Sequence, residues 1–143
     1  MKGVRMSSHL ASGINFAPQH QAQLDASAIS PEVAAARGYE TMEGARGQAM
    51  LKGLGFPQDY SKATPGLLLP IWTTSGHPAT WVQARSGERI PLMAYRPDTP
   101  PVEDTGKPKS KYIFPAGCTM YVDCPPSCQP SLADPLVPIW VTE

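Results

Sequence analysis

The chain runs to 143 residues, and its 12 Lys and Arg balance its 12 Asp and Glu. That length suits one domain, or a small helical lobe beside a β-rich lobe, and zero net charge argues against gripping nucleic acid with the whole surface. No apolar run approaches the roughly 20 residues that span a bilayer and no signal-peptide core opens the chain, so a cytoplasmic chain with no membrane partner is expected.

Residues Met1 to Phe16 carry no clear period and few large apolar side chains, which predicts a mobile or loosely docked leader over 1–16. A helical lobe is expected over 17–65. Pro18 suits a first helical turn, and Leu24 with Ala22, Ala26 and Ala28 makes a short, weakly amphipathic helix. Ser30-Pro31-Glu32 then reads as a helix start, with Ser30 as N-cap, Pro31 in the first turn and Glu32 beside the positive end of the dipole. Val33 to Ala36 propagate this second helix, and Gly38 supplies a left-handed stop. Two short helices joined by a tight turn invite a DNA-groove reading, but a recognition helix needs basic or amide side chains at base edges. The second helix offers Glu32, alanines and a single late Arg37, so a packing hairpin is expected instead. Met42 to Leu54 forms a third, glycine-weakened helix that Gly55-Phe56-Pro57 ends, and Gln58 to Pro65 is a loop.

From Gly66 the periodicity changes to short apolar runs separated by Gly and Pro, and 66–143 is expected to be β-rich. Leu67 to Trp72, Ala79 to Ala84 and Ile90 to Tyr95 are three strands of an antiparallel meander, with Pro91 pointing to an edge position. Pro97 to Lys109 is a polar loop. Lys111 to Phe114 and Thr119 to Val122 are two further strands, Cys124 to Pro135 is a proline-punctuated connector, and Val137 to Thr142 is the last strand. Trp72, Trp81 and Trp140 sit inside these apolar patterns and are expected in the core. The fold class is therefore α+β: a small N-terminal helical lobe followed by a mostly antiparallel sheet.

Read in order, Leu68-Leu69-Pro70-Ile71-Trp72, Gly76, Tyr95-Arg96-Pro97-Asp98, Lys111-Tyr112, Pro115-Ala116-Gly117 and Ile139-Trp140-Val141-Thr142-Glu143 form a series. It resembles the region preceding and entering the Toprim domain in primase-like replication proteins of phages, plasmids and other mobile elements. Leu24-Asp25-Ala26-Ser27-Ala28-Ile29-Ser30-Pro31-Glu32, running into Arg37-Gly38-Tyr39, is similar to the helical segment of an uncharacterised Toprim-associated family. The resemblance covers roughly Pro18 to Glu143, and bacterial replicative primase is similar at a greater distance. It implies that the last strand opens an incomplete Toprim-like unit, cut at its first acidic residue.

In the replicative primase an Arg and a Lys-Tyr pair track the single-stranded template, which by resemblance assigns that role here to Arg96, Lys111 and Tyr112. Arg and Lys neutralise phosphates, and a tyrosine ring stacks on an unpaired base. Lys107, Lys109 and Lys111 alternate and would share one face of a strand, either a solvated edge or a phosphate-contacting strip; Lys109 joins the candidate set on that ground. Arg85 to Tyr112 holds six basic and four acidic residues, a weakly basic balance.

Glu143 matches the first acidic position of Toprim, whose chemistry needs several carboxylates around Mg²⁺. The following Gly and the later Asp-x-Asp pair are absent, so Glu143 is expected to be inactive alone and Mg²⁺ is expected only with a complete Toprim domain. The hairpin from Trp81 to Ile90 and the spacer Lys107-Pro108-Lys109-Ser110 also depart from the family pattern. Cys118, Cys124 and Cys128 lack the paired spacing of a zinc knuckle and are expected as connector cysteines, with no metal site. His9, His20 and His77 are scattered, with no spacing that suggests nucleophilic catalysis.

The leading functional expectation is a non-catalytic module that positions single-stranded DNA or RNA beside a Toprim domain, with a Toprim or helicase region or another replication protein as partner. The alternative is a stand-alone interaction module, derived from such a primase by truncation, that binds a protein partner through exposed apolar surface.

Overall fold

The computed structural model describes residues 15–140. The expected Toprim acid Glu143 and all but the last two residues of the leader lie outside the described residues. The fold is a small α+β unit in which every strand pairing is antiparallel. No helix among the described residues is long and apolar enough to cross a membrane.

Helices begin and end where local chemistry dictates. Helix α1 (Pro18–Ala26) opens on its proline. Helix α2 (Pro31–Arg37) is capped by Ser30, whose Oγ accepts the Val33 N–H at 3.3 Å, and stops at Gly38, whose φ of 75° suits a residue without Cβ. Strand β1 (Glu40–Met42) comes next, where the sequence pattern predicts no strand. Three residues carry too little alternation to read, and β1 exists because β2 (Gly66–Pro70) is there to pair with it, Met42 opposite Gly66 and Glu40 opposite Leu68. Helix α3 (Gly44–Gly53) follows, and α4 (Gln58–Ser61) forms a single turn where a loop is predicted.

The expected meander is corrected. Strand β2 pairs with β5 (Met93–Pro97), giving a sheet of order β1-β2-β5, and β3 (Thr80–Val82) with β4 (Arg89–Pro91) form a separate hairpin inserted between them. The predicted strand Ile90 to Tyr95 therefore breaks in two at Leu92. Pro91 has no N–H for a ladder, and the buried Leu92 changes partners, donating to the Ala79 carbonyl at 2.8 Å and accepting from Ile71 N–H at 3.2 Å.

Both faces of the three-stranded sheet are covered. Leu68 and Tyr95 pack with Met42, Leu51, Leu54 and Phe56 on the α3 side. Leu67 packs with Leu24, Ala34 and Tyr39 on the other side, beneath the α1–α2 hairpin, with Phe16 against them. The hairpin carries its own cluster of Ile71, Ala79, Trp81, Leu92 and Ala94. Ala34, fully buried, supplies the close approach expected of a packing hairpin.

Among the described residues, the predicted strands of the C-terminal third do not form. Within Lys111–Phe114 only Ile113 pairs, in an isolated bridge to Tyr95. Met120, Tyr121 and Val122 are exposed, and so are Leu136, Ile139 and Trp140. β-propensity favours a strand only where a pleated neighbour receives it, and among the described residues none does. Trp81 is buried as expected, but Trp72 is only half-buried and Trp140 is 86 % exposed, which corrects two of the three core tryptophans. Because Lys107, Lys109 and Lys111 lie on loop backbone, the shared strand face predicted for them is absent as well.

A candidate nucleic-acid interface at the Arg96–Tyr112 cleft

Alternation along β5 decides where Arg96 points. Its neighbour Tyr95 turns into the α3-side core, so Arg96 emerges on the opposite face, paired across the ladder with Leu67. The isolated bridge then brings in Tyr112: Tyr95 and Ile113 exchange two backbone hydrogen bonds, 2.9 and 3.0 Å, which sets residue 112 beside residue 96. The Arg96 guanidinium lies 5.5 Å from the centre of the Tyr112 ring. That is a cation–π stack, on a ring 46 % exposed. Two residues singled out from the sequence, 16 positions apart, thus meet.

Together they line a cleft of about 250 Å³ between the α1–α2 hairpin and the sheet, floored by Leu67, Leu69 and Ala94. A second stack stands in the same cleft, with the Arg37 guanidinium 5.3 Å from the centre of the Tyr39 ring. Arg37 is ion-paired with Asp123, whose other oxygen accepts the Trp72 backbone N–H at 3.0 Å. The Trp72 indole N–H in turn donates to the Arg37 carbonyl at 3.1 Å. Arg37 is thus held rigidly and its charge is compensated. Arg96 has no carboxylate partner among the described residues and is the cleft's uncompensated cation. Burial pushes the Tyr39 phenol up from its ordinary range, with Arg37 opposing, so the phenol stays neutral at physiological pH.

The other candidates fall elsewhere. Lys109 pairs with Asp59 at 2.6 Å, which holds that carboxyl below its usual value, and neither residue lines the cleft. Lys111 is exposed next to Tyr112 and does not line the cleft either. Arg37, Tyr39 and Asp123 were not expected there. Arg37 and Asp123 are 86 positions apart, and no local pattern signals their pairing.

A buried brace holds the helical wall of the cleft. His20, on α1 one turn before Leu24, is fully buried. Its Nε2 meets Asp98 Oδ1 and its Nδ1 meets Thr41 Oγ1, both at 2.7 Å. The Thr41 hydroxyl also accepts the Ala17 N–H at 3.1 Å. With Nε2–H donating to the carboxylate, α1 is tied to β1 and to the end of β5 at once. From sequence alone His20 looked isolated, because its partners arrive from distant segments.

The Mg²⁺ that the resemblance attaches to a complete Toprim unit finds no suitable donor set among the described residues. Asp59, Asp98 and Asp123 are separately engaged by Lys109, His20 and Arg37, and no group of three or more His, Cys, Asp or Glu converges. Of the cysteines, Cys124 is buried, Cys118 half-buried and Cys128 exposed.

Comparison of the chain with protein-family models, with curated proteins and with solved structures finds no match.

Proposed function

We propose that this chain is a non-catalytic, primase-like module of a mobile-element replication protein, and that it holds single-stranded nucleic acid in the cleft of Arg96 and Tyr112. The observation that carries the reading is the Arg96–Tyr112 stack itself. One uncompensated cation stands beside one half-exposed aromatic face, the pairing that engages a phosphate and the base next to it. Arg37 stands in the same cleft with its charge met by Asp123, and Lys111 adds an exposed charge beside Tyr112. Lys109 is left out, because its ammonium already serves Asp59.

Fluorescence anisotropy of a labelled single-stranded oligonucleotide, in DNA and RNA versions at low and near-physiological salt, tests the proposal. Saturable, salt-sensitive binding is expected. Arg96→Ala should lower the steepness of the salt dependence by about 0.7, the share of one phosphate contact on a single strand. Tyr112→Ala should cost roughly 1–3 kcal/mol of binding energy. Absence of binding at low salt overturns the reading.

A second reading, a protein-interaction module, draws on the exposure of Leu136, Ile139 and Trp140. It predicts association that is insensitive to salt and is lost when Trp140 is made charged.

A further inference from the structure

The α3 side of the molecule carries a second concavity, broader than the cleft and chemically different from it. It runs between α3 and the β3–β4 hairpin and has a volume of about 1280 Å³, beyond the roughly 300–1,000 Å³ of small-molecule pockets. A segment of polymer suits that size better than a metabolite.

Its chemistry is one-sided. Lys52, Lys62 and Arg85 line it against a single acid, Glu88, and none of the four forms an ion pair among the described residues. Deeper in the groove lies Trp81, only 6 % exposed, whose indole N–H meets no acceptor among the described residues. A buried donor without a partner is costly and uncommon in folded proteins. The ring edge beside that nitrogen runs along Gly55: a Cβ there would stand 3.0 Å from Trp81 Cζ2 and 2.9 Å from Gln83 Nε2. Gly55 also adopts a φ of +87°, so a side chain is excluded there twice over and the backbone alone covers that edge.

We propose that this groove is a docking site for an extended acidic segment of a partner protein, with its carboxylates meeting Lys52, Lys62 and Arg85. Charge complementarity identifies the occupant as an anion. The absence of an exposed ring then favours peptide over nucleic acid: both aromatic residues lining the groove, Phe56 and Trp81, are buried and offer no face for a base to stack on. The exposed, arginine-backed ring of Tyr112 belongs to the cleft instead. This inference does not depend on the function proposed for that cleft.

The test is anisotropy with a short fluorescein-labelled peptide of alternating Glu and Gly, competed with unlabelled oligothymidylate. The wild-type chain should bind the peptide saturably at low salt. Reversing two exposed charges, Lys52→Glu with Arg85→Glu, should weaken it by about tenfold or more. Arg96→Ala should leave peptide binding unaltered. No peptide binding at low salt, or binding indifferent to the double reversal, overturns the proposal. So does oligothymidylate that binds more tightly than the peptide and responds to the same reversal. The charge reversals lie on exposed residues, so they test the surface without disturbing the core.

Discussion

A Cβ built on Gly66 would stand 2.5 Å from Tyr95 Cζ and inside contact distance of its hydroxyl oxygen. The two residues sit on adjacent strands of the central sheet, and the phenol lies across the glycine to donate to the Ala63 carbonyl at 2.6 Å. Gly66→Ala should therefore destabilise the fold by about 1–3 kcal/mol through overpacking in a buried position. Tyr95→Phe should cost about 1 kcal/mol by removing the hydrogen bond. Because a Phe ring is no longer pinned to the Ala63 carbonyl and can shift from the added methyl, urea denaturation of the double variant should show a loss smaller than the sum of the two.

Alkaline pH should unfold this protein through its tyrosines. Burial raises the Tyr95 phenol far above its ordinary value, the charge of Asp98 adds to it, and Tyr39 and Tyr60 are raised by burial too. Above the unfolded value of about 10 the unfolded chain gives up these protons and the folded chain keeps them. The stability held by the neutral phenols is thus complete below that pH and lost as pH rises from there through the raised folded values, by up to about 1.4 kcal/mol per pH unit for each tyrosine. Urea midpoints measured from pH 8 upward should fall beyond pH 10, and less steeply in Tyr95→Phe. A flat profile would contradict the burial of all three.

His20 should matter for stability out of proportion to its surroundings. Replacing it with Ala removes a fully buried ring and its bonds to Asp98 and Thr41, at a cost of about 2–4 kcal/mol. Thr41→Val should cost less, since the His20–Asp98 pair survives. Thermal melts of the two variants rank them, and equal losses would argue against the brace.

The lysines should separate from the arginine. Lys109→Ala breaks only an exposed pair with Asp59 and should move neither the urea midpoint nor oligonucleotide affinity beyond error. Arg96→Ala should lower affinity with the fold intact. Equal loss of affinity in both variants would return the binding surface to a diffuse strip of lysines.

How far each feature could be read from sequence tracks its range along the chain. Ser30, Pro31 and Gly38 act within one helical turn, and α2 starts and stops where they put it. Arg96 and Tyr112 were legible as a cation and a ring of the right chemistry, but their stacking depends on a single bridge between Tyr95 and Ile113. β1 was invisible because three residues carry no pattern. The last run, by contrast, has a strand pattern that Ile139 and Trp140 do not honour, being exposed.

Sequence alone determined the class of this protein: a charge-balanced α+β chain, its segments punctuated by Pro and Gly whose backbone limits act locally. Tertiary structure decided the partners. It paired β2 with β5 across an inserted hairpin, because Pro91 cannot continue a ladder and Leu92 is tied to Ile71 and Ala79. It also set Arg37 on Asp123 and His20 on Asp98, contacts that exist only after distant segments are closed onto one sheet. Such contacts depend on strand register and loop closure, which no local spacing of residues encodes.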